Sequence, residues 1–377
     1  MPSNHPVWQE LETIERRESL LLAPYATHSS QSKGRKYSEH AQSYRGPFQR
    51  DRDRIIHTAA YRRLSHKTQV FTSQEGDYHR NRLTHTLEVC SIARTVARAL
   101  RLNEDLVEVM ALMHDIGHPP FGHSGEDVLK ECLKEEGGFS HNQHALRIVE
   151  ELESPYLEFP GLNLSYETLE GQCYRADKQS MQISPSLEAQ VVDAADSIAY
   201  DSHDADDALE LGLLNIEQLL TVPMWRNAAD RVQSKTYAPN NSPLRRAVIH
   251  ELIDWQVKDL LQTSTERITQ RYTGCSNNID LKELIILQSV ELQEQKAELE
   301  HFLFQQVYRH PDVVKTRDRA QKSLHELFDK IVDQMEYLPE SFQRRAQTAG
   351  VRRSACDYLA GMTDRFAWRE HKRLCNP

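Results

Sequence analysis

No stretch of this 377-residue sequence is apolar for long enough to cross a bilayer. Nor does a basic segment lead into an apolar one near its start. A cytoplasmic protein that does not engage membranes is the expectation. Cysteine is sparse and scattered, at Cys90, Cys132, Cys173, Cys275, Cys356 and Cys375, with no CxxC pair. A zinc ribbon or a disulfide framework is therefore a poor fit, and reduced thiols are expected. An excess of positive charge is also missing. The net charge of −10 argues against non-specific nucleic-acid binding through overall charge, though not against a local basic patch. Internal repeats, alternating strand patterns and Gly-rich phosphate loops are all lacking, which leaves an all-α fold as the expectation.

What is present fits a globular chain long enough to bury its core without staples, with 39% hydrophobic and 27% charged residues. Residues 1–44 are polar and charged and read as an N-terminal arm with a short helix at most. Residues 45–214 read as a helical core interrupted by a Pro-, Gly- and Ser-rich insertion at about 153–186. Residues 215–377 read as a further helical region packed on that core. Leu83, Leu87, Cys90, Ala93, Ala97 and Leu100 step by three and four and predict one buried helical stripe. Asn103 is placed to cap the next helix, with Glu104 and Asp105 in its first turn and Leu106, Val109, Met110 and Met113 as its apolar face. Gly117 and Pro119-Pro120 end that helix, and a new one is expected near Ser124. Asn278 or Asp280 is expected to open a long C-terminal helix.

Histidine is concentrated. Nine of the 18 histidines lie between His57 and His144, more clustering than structure alone requires. His85, His114, Asp115 and Asp196 form a candidate metal set drawn from three helical segments, a pattern familiar from helical-bundle metal sites. Imidazole and carboxylate donors together suit one divalent ion: Mn, Fe, Co, Ni, Zn or, less comfortably, Mg. An HD dipeptide alone carries little information. Here His114-Asp115 opens the run HDIGHPPFGH, which adds His118 and His123 beside a helix end. The bland alternatives are caps and packed core histidines for His57, His66, His79, His144 and His203. Asp193, Asp201, Asp206, Asp207 and Glu210 read best as solvated charges or salt-bridge partners.

The blocks RDRDRIIHTAAYRRLSHKTQVF (50–71), RNRLTHTLEV (80–89), HDIGHPPFGHSGE (114–126), FSHNQHALRIV (139–149), FPGLNLSYETLEG (159–171) and LEAQVVDAADSIAYDSHDADDAL (187–209) stand in order. Near the end follows DYLAGMTDRFA (357–367). This series resembles the HD superfamily, and within it the bacterial dGTPase-like deoxynucleoside-triphosphate triphosphohydrolases. The resemblance implies an HD-domain helical bundle with additional C-terminal helices. By the same resemblance His85, His114, Asp115 and Asp196 match metal ligands, and His123 and Glu126 match a catalytic His–acid pair. Arg82, His118 and His141 match positions holding the α-phosphate, Tyr200 and Asp204 match the sugar pocket, and Gln69 matches a residue near the sugar 3′-hydroxyl. Two departures bear on base preference and pocket shape. Ser65 stands where the family often has Gln after RRL, and QCYRADKQ lacks the usual Lys-His pattern. Asp364 and Arg365 fall in a matching block and stay open between phosphate contact, subunit contact and packing pair.

The implied reaction cuts between the α-phosphorus and the 5′ oxygen of a dNTP, giving a deoxynucleoside and inorganic triphosphate. Arg82, with some of Arg52, Arg54, Arg62, Arg63 and Lys67, is expected to neutralise the substrate's charge. His123 is the expected proton donor, since a neighbouring carboxylate such as Glu126 favours the protonated imidazole. A regulatory dNTP, single-stranded DNA and a homo-oligomer are partners that the resemblance admits. Two alternatives stand beside this reading. One is an HD phosphohydrolase acting on nucleoside monophosphates or on cyclic or alarmone nucleotides. The other is a non-enzymatic nucleotide sensor on the same scaffold, which would have no need of the His123–Glu126 pair.

Overall fold

The computed structural model describes residues 11–69, 80–178, 184–235, 243–272 and 283–375. His79, Cys275, Asn278 and Asp280 lie outside these residues. Seventeen α-helices and no strand occur among the described residues, so the all-α expectation holds. In chain order the helices are α1 (Leu11–Leu21), α2 (Pro47–Ile56), α3 (Ala59–Arg63), α4 (Arg82–Ala99), α5 (Glu104–Met113) and α6 (Gly122–Cys132). Next come α7 (His141–Arg147), α8 (Tyr166–Ala176), α9 (Leu187–Glu210), α10 (Ile216–Leu219), α11 (Pro223–Lys235) and α12 (Pro243–Arg271). The chain closes with α13 (Val290–Leu303), α14 (Pro311–Asp333), α15 (Glu340–Ala349), α16 (Val351–Ala360) and α17 (Asp364–Cys375).

Helices α4, α5 and α9 form the heart of the bundle. Asn81 starts α4, its Oδ1 accepting from Thr84 N–H at 3.0 Å while Thr84 Oγ1 accepts from Asn81 N–H at 3.1 Å. Asn103 caps α5 as its sequence position predicts, accepting from Leu106 N–H at 3.2 Å. The α4 stripe needs one correction. Cys90, Ala93, Ala97 and Leu100 are buried, but Leu87 is 50% exposed. The buried face is centred on His85, Val89, Ala93 and Val96. At about 100° per residue, Leu87 points more than about 100° away from it. Because α4 packs on both α5 and α9, its apolar arc includes positions that the three-and-four count passed over.

Further cores flank this one. Residues from α6, α14, α16 and α17 bury Phe121, Leu129, Leu324, Phe328 and Leu359 together. The end of α9 packs with α11, α12 and α13 around Trp225, Leu252 and Leu299. The long C-terminal helix begins at Val290, later than its periodicity suggests. The preceding backbone has tertiary partners instead. The N–H groups of Ile285 and Ile286 donate to Gln190 Oε1 at 2.8 and 3.1 Å, and Ser289 N–H donates to Asp259 at 2.7 Å. Within the predicted insertion, residues 166–176 form α8. Among the described residues no helix is long and apolar enough to cross a membrane.

His144 on α7 is buried, and burial, reinforced by Lys67 and Arg147, pushes its imidazole down to about 3. An unfolded histidine takes up its proton near about 6.5. Between those values the unfolded chain binds the extra proton, so stability rises with pH and is lost on acidification. His144→Gln should flatten urea-derived stability between about pH 4 and about pH 6.5 by up to roughly 1.4 kcal/mol per pH unit. Equal slopes in the two proteins would refute the assignment.

Candidate metal centre and active site

Three helices deliver the candidate ligands. His85 projects from the first turn of α4, His114 follows the last turn of α5, and Asp196 lies on α9. His85 Nε2 is 3.1 Å and His114 Nε2 is 3.6 Å from the same oxygen, Asp196 Oδ1. One donor atom from each residue falls within 4.8 Å of the other two. Asp115 stands beside this triangle, its Oδ1 3.5 Å from His114 Nε2. Donor atoms about 2.1 Å from a shared ion lie roughly 3.0 Å apart at right angles and roughly 3.4 Å apart in a tetrahedron. The spacing therefore fits a divalent ion.

The donor chemistry agrees. His114 Nδ1 lies 2.6 Å from the Ala111 carbonyl, which fixes the proton there and leaves the Nε2 lone pair free. That buried Nε2 has no hydrogen-bond partner. Burial lowers the basicity of His114, in the direction of the neutral imidazole that a metal ligand needs. Asp115 and Asp196 are held well below the ordinary carboxylate range. Burial opposes this, but the permanent charge of Arg82 beside Asp115 and of Arg175 beside Asp196 acts against it.

Two guanidinium groups position the carboxylates. Arg82 is fully enclosed and donates to Asp115 Oδ2 at 2.8 Å and to the Gln69 carbonyl at 3.3 Å. Gly122 lies against it. A Cβ there would meet the Arg82 terminal nitrogen at 2.8 Å, and the φ of +57° suits glycine. Arg175 donates to Asp196 Oδ2 at 2.6 Å and to Asp193 Oδ1 at 2.7 Å. It occupies the very stretch that departs from the Lys-His pattern. Sequence reasoning marked that departure without finding the role.

A second group adjoins the first. Asp115 Oδ1 is 3.0 Å from His118 Nδ1, and the His118 ring stacks on His141 with centroids 3.8 Å apart. Glu126 joins two histidines: Oε2 is 3.0 Å from His123 Nδ1, and Oε1 is 2.8 Å from His141 Nδ1. Glu126 Oε1 also accepts the His141 backbone N–H at 2.9 Å. Burial would raise this carboxyl, yet the bonds from His123 and His141 hold it far below the ordinary range. His118, His123, Glu126 and His141 thus form one polar cluster, with a donor atom from each within 4.8 Å of the others. The i, i+3 spacing of His123 and Glu126 works because α6 begins at Gly122, two residues earlier than expected.

A cavity of about 520 Å³ lies beside the cluster, lined in part by Gln69, His123, Tyr200 and Tyr308. Tyr200 and Tyr308 hydroxyls are 2.8 Å apart, and Tyr308 also donates to Asp204. Burial pushes the Asp204 carboxyl up to about 7, although the Tyr308 bond opposes it. Gln69 Oε1 is buried without a partner. Tyr308 was missed by sequence reasoning. It comes from a π-helical turn, Phe304–Tyr308, between α13 and α14, and its distance from Asp204 in sequence hides the pairing.

Four of the cations expected to neutralise the substrate's charge have partners within the chain. Arg54 is buried against Glu39 and the carbonyls of Leu162 and Asn163, and Arg52 pairs with Asp53 and Glu108. Lys67 is buried between the carbonyls of His118 and Ala360, and Arg62 donates to the His57 carbonyl. These four cations are engaged by acceptors of the chain itself. By contrast, Asp206 and Glu210 act as salt-bridge partners of Arg245, as their sequence setting suggests.

Comparison with known proteins agrees with this architecture. The HD domain family model matches residues 82–201, and the phosphohydrolase-associated domain model matches residues 286–373. The fold and site thus define a hydrolase of the HD phosphohydrolase class. A deoxyguanosinetriphosphate triphosphohydrolase-like protein of Geobacter metallireducens is 43% identical over 381 residues, covering 97% of this chain and 98% of that protein. Another from Ralstonia pickettii is 42% identical, covering 94% of each chain. The chain belongs to the deoxyguanosinetriphosphate triphosphohydrolase-like family. A solved hypothetical protein from Aquifex aeolicus aligns at 15% identity with a TM-score of 0.31, covering 77% of this chain and 79% of that one.

Proposed function

We propose that the protein hydrolyses deoxynucleoside triphosphates, dGTP among them, to a deoxynucleoside and inorganic triphosphate. The observation carrying this reading is the His85–His114–Asp196 triangle next to the Glu126-linked histidines and the 520 Å³ cavity. A volume of that order suits a nucleotide-sized ligand. The names of the Geobacter and Ralstonia relatives point the same way.

His85, His114, Asp115 and Asp196 would hold the ion. When bound there, a divalent ion supplies Lewis acidity toward a phosphoryl oxygen and toward the attacking water. His118 and His141 offer imidazole edges to the α-phosphate, and their stacking fixes the spacing between them. Water attacks the α-phosphorus, the bond from phosphorus to the 5′ oxygen breaks, and His123 delivers a proton to the departing oxygen. Glu126 orients that imidazole through Nδ1. Tyr200, Tyr308 and Asp204 offer hydroxyl and carboxyl groups to the sugar. The unpartnered Gln69 Oε1 is suited to accept from a sugar hydroxyl.

Incubating the protein with each of the four dNTPs and Mn²⁺, then separating the products, tests this reading. Triphosphate with free deoxynucleoside is the expected outcome. Cleavage of monophosphates alone, or release of pyrophosphate or single phosphates, would sink it.

A further inference from the structure

We infer that Asp364, the first residue of α17, is a positioning residue that holds residues 118–123 in the conformation from which His123 acts. The inference rests on the reading of His123 as proton donor. It assigns part of the phosphohydrolase-associated segment a task inside the active site of the HD domain.

The loop needs such support. Phe121 has φ +65° and Gly122 has φ +57°, so two successive residues are left-handed immediately before His123. A phenylalanine in that region is strained and persists only where its surroundings fix it. Phe121 precedes α6 without offering a side-chain cap, leaving its own N–H dependent on an outside acceptor. Asp364 Oδ1 accepts that N–H at 2.9 Å. Its other oxygen, Oδ2, accepts Thr68 N–H at 2.9 Å and also the Thr68 hydroxyl. One carboxylate thus joins the two strands of chain that carry Gln69 and His123 to the cavity.

Neighbouring contacts act in the same sense. Trp368, one turn further along α17, packs on the Phe121 ring with centroids 5.1 Å apart. At the other end of the loop, Lys67 Nζ donates to the His118 carbonyl at 2.5 Å and to the Ala360 carbonyl at the end of α16 at 2.9 Å. The loop is therefore gripped at His118 and at Phe121 by groups tied to α16 and α17. With both Asp364 oxygens engaged by Phe121 and Thr68, this carboxylate acts on the loop backbone. The sequence had left its role open between phosphate contact, subunit contact and packing pair.

Asp364→Asn keeps the size of the side chain and removes one acceptor. With dGTP and Mn²⁺, kcat should fall by about a hundredfold, the scale of a small misplacement in a catalytic group. KM and the Mn²⁺ dissociation constant should stay within roughly threefold of the parent, and hydrogen–deuterium exchange should quicken across residues 118–123. A merely structural loss would move metal affinity and exchange throughout the molecule. Unchanged loop exchange, or a kcat within roughly threefold of the parent, would overturn the inference. If the parent protein turns over no dNTP, the proposed activity fails while loop exchange still decides the clamp. Should the Asn variant not fold, Thr68→Val removes only the hydroxyl bond to Asp364. It is expected to quicken the same amides and lower kcat several-fold, and no change in either would count against the clamp.

Discussion

His114→Ala should yield a folded protein that no longer binds Mn²⁺ tightly and has lost metal-dependent turnover. The side chain is completely buried, and its Nε2 faces Asp115 Oδ1 and Asp196 Oδ1 with no hydrogen bond of its own. An unpaired polar atom in such a place is costly unless a ligand completes it. Truncation removes that atom together with ring packing, so the two stability effects oppose one another. The metal has no such compensation. Disturbing groups that merely orient metal ligands costs 10- to 100-fold in affinity or activity, and removing a ligand should cost at least about 100-fold. Calorimetric Mn²⁺ titration and metal analysis after dialysis provide the measurement. Chelation of the parent protein should abolish the same activity, with recovery on adding Mn²⁺. Parent-like metal affinity in the Ala variant would remove His114 from the ligand set.

The parts of this site that could be read in the sequence are those built by local periodicity. Asn103, the apolar face of α5 and the break at Gly117 place His114-Asp115 at a helix end without any tertiary information. Gly117 also shows why the break falls there: a Cβ would lie 2.0 Å from the His141 carbonyl, so α7 can approach only a glycine. The same closeness brings His141 onto His118. Groups that act across long sequence separations were not legible. Arg175 reaches Asp196 from α8, Tyr308 reaches Asp204 from a π-turn, and Asp364 reaches Phe121 across 243 positions. The cationic residues from Arg52 to Lys67 show the converse. The implied reaction's need for positive charge pointed to them, but it does not reveal that carbonyls and carboxylates of the same chain already hold Arg52, Arg54, Arg62 and Lys67. Leu87 and the start of α13 failed for a related reason, because neighbouring helices and side-chain acceptors overrode the local pattern.

His123→Ala should reduce kcat by roughly 10²- to 10⁴-fold, the range expected for loss of a general acid, while Mn²⁺ affinity stays close to that of the parent. The separation is geometric. His123 belongs to the cluster tied by Glu126 and is not part of the His85–His114–Asp196 triangle. Its side chain is 65% exposed at the edge of the cavity, so truncation leaves no buried void and folding should be little affected. Glu126→Gln offers a sharper contrast. The carboxylate is held far below its ordinary range and is therefore ionised throughout the working pH range, as bonds from His123 and His141 overcome the effect of burial. Gln keeps an acceptor for the His123 ring but loses the charge, so its kcat should fall by a smaller factor than in His123→Ala. A donor acting elsewhere predicts different behaviour: both variants would retain most of their turnover. Loss of Mn²⁺ binding in His123→Ala would instead move this histidine into the metal centre.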